Sequence, residues 1–130
     1  MLTYRTTEEH FEAFQDEARK WIAYFGLSEW EIVFRHREVD GRAMCDAHSE
    51  GHIAVLTLSS EWKTVEEPDE AGVRKSGFHE VCELLLMDDW FAATNTDLTP
   101  EQRERQLEKE RHRIIRRLEN SLYRQSKERA

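Results

Sequence analysis

Cysteine is scarce in this chain of 130 residues: Cys45 and Cys82 are its only two, and neither belongs to a CxxC pair. A disulfide framework and a four-thiolate zinc site are thereby excluded, and both thiols, in apolar surroundings, read as small core hydrophobes. No apolar run approaches the ~20 residues that span a bilayer. Residues 1–9 lack the basic start and hydrophobic stretch of a secretion signal, so the cytoplasm is the expected location and no membrane partner is expected. Internal repeats, low-complexity blocks and interdomain linkers are also missing, and the length suits one compact domain over residues 1–130. Positive charge is in deficit: 27 Asp and Glu against 19 Lys and Arg leave a formal net charge of −8. On that balance attraction to a polyphosphate is unfavourable overall, although a local basic patch is able to overcome it.

What the chain does hold is material for a core. Aromatic residues make up 10% of it, four of them Trp, which excludes wholesale disorder despite a charged share of 35%. Thr6 and Glu9 have the spacing of a capping box, and Phe11, Phe14, Ala18, Trp21, Ile22 and Phe25 then recur at helical intervals. A first helix over about residues 7–25 is predicted, ended by Gly26. Trp30, Ile32 and Phe34 alternate with polar neighbours as a half-buried strand does. Asp40-Gly41 signals a hairpin, Ala43, Cys45 and Ala47 alternate after it, Glu50-Gly51 marks a turn, and Ile53 to Leu58 supplies a third strand. The middle of the chain therefore reads as a small three-stranded sheet.

From Ser59 to Lys75 the chain turns polar, and Pro68 is placed to open a helix. Phe78 to Trp90 leaves few positions polar and predicts a helix buried on most sides. Thr99-Pro100-Glu101 starts a last helix that runs to about residue 125, with Leu107, Ile114, Ile115, Leu118 and Leu122 on one stripe. At ~1.5 Å per residue that helix is nearly 40 Å long, wider than such a domain, so residues of about 124–130 are expected to protrude or fray. The fold class expected is α+β: an N-terminal helix, a small sheet, then two packed helices.

The polar residues of the buried helix need a reason. Within Phe78-His79-Glu80-Val81-Cys82-Glu83, His79 and Glu83 lie four apart and point the same way, while Glu80 sits about 100° round the helix. The motif HExxH uses this spacing to offer two ligands to one zinc ion, with the glutamate between them as base; here the second His is Glu83, giving HExxE. Carboxylates on an apolar helix are costly unless paired, and metal binding resolves that cost; a surface hydrogen bond between His79 and Glu83 is the alternative. A catalytic zinc takes three protein ligands and keeps a position for water. His112 on the last helix is the candidate third ligand, with Glu108 and Glu119 able to orient or replace it and Glu110 a weaker option. His10, His36, His48 and His52 read as solvated. Arg111, His112, Arg113, Arg116 and Arg117 form a local basic cluster, but no aromatic platform interleaves them, so a solvated helix face is favoured over nucleic-acid binding.

These residues resemble a family. The order of elements, together with Trp30-Glu31-Ile32, the HExxE string and His112-Arg113-Ile114-Ile115-Arg116-Arg117-Leu118-Glu119-Asn120, is similar to the minimal zincin-like fold of short phage and prophage proteins described as metallopeptidases. The resemblance spans about Thr6 to Leu122. It implies a Zn2+ site where the two late helices meet, Glu80 as general base, and a sheet edge that holds an extended peptide. Glu83 departs from the pattern, which has His there. Peptide-bond hydrolysis is the function so implied, in the host cytoplasm for a phage-encoded protein, with Tyr123 and Arg111 as the only further oxyanion donors to consider. The alternative is a non-catalytic protein on the same scaffold that binds a host protein. A homodimer through the last helix is a further expectation.

Overall fold

The computed structural model describes residues 2–125 and has the α+β architecture expected. The elements are β1 (Leu2–Arg5), α1 (Glu8–Tyr24), β2 (Glu31–Arg37), β3 (Ala43–His48), β4 (Ile53–Ser59), β5 (Glu61–Thr64), α2 (Glu70–Leu85), α3 (Met87–Thr94) and α4 (Pro100–Leu118). A π-helical turn over Glu119–Tyr123 continues α4.

The three-stranded sheet has the order β2-β4-β3. β4 runs parallel to β2 and antiparallel to β3, so the strands on either side of Asp40-Gly41 are not hairpin partners as the turn signal suggested. Gly41 does turn, at φ +81°, but it carries the chain past the space that β4 fills. β4 is the most continuously apolar strand because it is the central one: Ala54, Leu56 and Leu58 are fully buried. β1 and β5 pair separately as a two-stranded antiparallel ribbon that the sequence reading did not contain.

Helices α1 and α2 lie together, and their inner faces join the sheet in one core that includes Phe14, Ala18, Leu27, Leu56, Val73, Val81 and Leu84. Burying each such large side chain contributes ~1.5–3 kcal/mol. Thr7 caps α1, and it exchanges hydrogen bonds with His10 in a capping box. Thr6, the expected cap, is buried instead. Its hydroxyl donates to the Ser59 carbonyl and, having one hydrogen, accepts from His36 Nε2, each at 2.7 Å. Glu17 joins α1 to α2 through Arg74, and also accepts from the Trp21 indole. Burial works against that carboxylate's charge, but Trp21, Lys20 and Arg74 outweigh it and hold its pKa below the ordinary value.

Pro68 does not open α2; Asp69 does, its carboxylate accepting from Gly72 N at 2.7 Å. The helix expected over Phe78–Trp90 is two: α2 ends at Leu85 and α3 begins at Met87, with Leu86 at φ −93°, ψ 0° between them. That break re-aims the residues after it, and Leu86 and Trp90 are exposed rather than buried; Phe78, earlier on α2 against Trp21 and Phe25, is exposed too. Thr99 caps α4 in a box with Gln102 and Pro100 stands in its first turn, as predicted. Arg124 and Gln125 remain helical; residues 126–130, the rest of the end expected to protrude, lie outside the described residues. Among the described residues no helix is long and apolar enough to cross a membrane.

Candidate metal centre

The centre of interest is one and a half turns of α2. Ser76, Gly77, Glu80, Val81 and Leu84 form its inner face, which places His79 and Glu83 outward, one turn apart. Glu80 is turned inward and only 4% exposed. One ligand atom from each of His79, Glu80 and Glu83 falls within 4.8 Å of the others. His79 Nε2 and Glu83 Oε2 are 4.0 Å apart, too far for a hydrogen bond. Two ligands of a tetrahedral zinc ion, at ordinary bond lengths, stand about 3.4 Å apart, so a small side-chain adjustment brings this pair to a shared ion. One imidazole and two carboxylates are also the donor types that zinc accepts.

Glu80 is the unusual group. Burial first, then its hydrogen bond with Glu83 and the charge there, push its pKa up to about 9, so without metal it holds a proton at neutral pH. Cys45, on β3 facing α2, lies close enough to feel both carboxylates. Burial first, then Glu80, Glu83 and Asp46, raise its thiol to about 12 and keep it protonated in the metal-free protein.

The structure does not bring His112 to this group. Its side chain is exposed on α4, and Nδ1 donates to the Glu108 carbonyl at 2.8 Å. The break at Leu86 is the reason: α4 packs chiefly against α3, where Arg113 meets Asp88, rather than along α2. Glu108 on α4 and Glu119 in the π-helical turn after it are exposed and likewise outside the group. Glu110 is buried but engaged, with Gln106 at 2.9 Å and Arg113 at 3.3 Å. Arg111 lies on a groove shared with Leu86 and Asp89, away from His79, while Tyr123 lines a separate apolar surface with Leu118 and Leu122.

Three of the remaining histidines, half-buried rather than fully solvated, also have structural places. His10 completes the α1 cap, His36 stacks on Phe11 at 5.0 Å, and His52 packs on Trp30 at 4.8 Å. His48 is exposed beside Asp46. Two members of the basic cluster of α4 are paired, Arg113 with Asp88 and Glu110 and Arg117 with Glu29, while Arg111, His112 and Arg116 are exposed.

Sequence reasoning missed Gly77, Arg42 and Lys75. Gly77 carried a signal, a glycine inside a helical run, which marks a close backbone approach. The cations carried none, because only the β3–α2 packing places Arg42 beside Lys75. Compared with protein-family models, curated proteins and solved structures, the chain matches none.

Proposed function

We propose that the chain is a zinc-dependent metallopeptidase acting in the cytoplasm. One observation carries the reading: a buried glutamate offers a ligand atom within 4.8 Å of those of two outward side chains able to ligate, on the helix that packs against a sheet's edge strand. His79 and Glu83 would hold the ion. Zinc bound there supplies a Lewis acid and lowers the pKa of a coordinated water to about 7.

The chain's own residues do the rest. Edge strand β3 presents unpaired main-chain groups to an extended peptide and fixes the scissile bond along α2. Once ionised, Glu80 accepts the proton of the attacking water, and it delivers that proton to the leaving amine. Its burial keeps bulk water from taking the proton instead.

The test is elemental analysis of protein purified without added metal, followed by a peptide-cleavage screen. One zinc per chain is expected, lost in His79→Ala, and cleavage is expected to disappear in Glu80→Gln while zinc stays. Equal activity in the Gln variant would refute the mechanism. The second reading, a metal-stapled or metal-free protein that binds a host protein, is favoured by one observation: no third ligand joins His79 and Glu83 besides Glu80 among the described residues. Zinc bound without cleavage of any peptide is its expected outcome.

A further inference from the structure

A pocket of about 260 Å3 opens beside the candidate centre, between the start of β3 and the middle of α2. Lys75, Ser76, His79 and Glu80 line it from α2, with Lys75 one turn before His79, and Arg42 and Ala43 line it from the start of β3. Neither cation has an ion-pair partner among the described residues, in a molecule whose net charge is −8. Arg42 is also held in place. Its carbonyl accepts from Trp62 Nε1 at 3.1 Å and from Ser59 N at 2.9 Å, and its guanidinium lies over the Trp62 ring at 4.9 Å. Two uncompensated cations, one of them pre-positioned, make a receptor for a carboxylate.

The sheet gives that carboxylate a direction. β3 runs from Ala43, at the pocket, to His48, and its free edge favours an antiparallel guest. A guest strand so paired runs toward Arg42, which leaves its C-terminal portion at the pocket. We propose that Arg42 and Lys75 select peptides carrying a carboxylate on the C-terminal side of the scissile bond, supplied by the chain terminus or by an acidic side chain. The substrate class rests on the peptidase reading; the pocket's preference for a carboxylate does not.

Three peptides with one fluorescent N-terminal label separate the cases: tetra-alanine with a free carboxylate, its amide, and an amide with Asp in the third position. Each is titrated by anisotropy against Glu80→Gln protein, with and without zinc, and against the same protein carrying Arg42→Gln and Lys75→Gln. A carboxylate peptide is expected to bind about tenfold tighter than the neutral amide, as two partly exposed charge pairs permit. The preference is expected in both metal states and to vanish in the double variant, whose folding is checked by its melting curve. Preference for the first peptide alone identifies a terminal carboxylate, and preference for the third an acidic side chain. Equal affinities, binding of none, or a preference that survives loss of both cations overturns the proposal. Absence of bound zinc would refute the peptidase reading while leaving the metal-free comparison to decide the pocket.

Discussion

Gly77 of α2 lies against the backbone of Phe14 in α1, so closely that a Cβ added to the glycine would stand 2.9 Å from the Phe14 carbonyl oxygen. This contact sets the depth at which α2 seats, two residues before His79. Alanine is the better helix former by ~1 kcal/mol, but here its methyl meets backbone that has no flexible end to move. Gly77→Ala is therefore expected to destabilise by about 1–3 kcal/mol, read by urea unfolding. A variant more stable than the parent would show that the two helices are not in this contact.

Thr6 and Thr7 are adjacent, and their hydroxyls do unequal things. Thr6→Val leaves the Ser59 carbonyl and His36 Nε2 without their buried partner, an expected loss of about 2 kcal/mol. Thr7→Val removes an exposed cap for about 1 kcal/mol. Denaturation midpoints of both variants check the order. Greater damage from the Thr7 change would return the structural role to the cap.

The local signals in the sequence were legible and the long-range ones were not. Thr99-Pro100 marked the start of α4, and the alternation of Trp30, Ile32 and Phe34 marked a strand, because caps and periodicity act within a turn or two. Which strands pair is decided elsewhere: Asp40-Gly41 made its turn, yet β4 arrived between β2 and β3 because the most apolar strand takes the middle. The same division holds for the candidate site. His79, Glu80 and Glu83 share one helix, so their spacing alone brought them together. His112 depended on how α4 packs, and a break at Leu86 with no Gly or Pro to announce it sent α4 against α3.

Glu80 makes the stability of the metal-free protein depend on pH in a defined direction. Its pKa is raised from the ordinary 4.5 to about 9 on folding, chiefly by burial and then by Glu83. The folded chain thus binds more protons than the unfolded chain between those values. The stability that the neutral carboxyl contributes is complete below about pH 4.5 and is lost as pH rises toward 9. Melting temperatures of the metal-free parent and of Glu80→Gln are expected to diverge from pH 6 to pH 9, with the parent falling relative to the variant by several degrees, at about 2–8 °C per kcal/mol. Parallel curves would mean that Glu80 ionises freely.

Removal of single histidines separates the observed arrangement from the one the family resemblance implies. His79→Ala deletes the only imidazole in the three-residue group and is expected to weaken zinc binding at least tenfold, the scale on which even supporting ligands act. His112→Ala deletes a side chain exposed on α4, whose ring bonds to its own helix at the Glu108 carbonyl. Zinc stoichiometry and affinity, measured by calorimetry, are therefore expected to match the parent's. Loss of zinc on removing His112 would require α4 to swing from α3 onto α2, and with it a break of the Arg113–Asp88 pair at 3.5 Å. Arg113→Ala would then bind zinc more tightly than the parent, whereas the packing described here leaves its affinity unchanged.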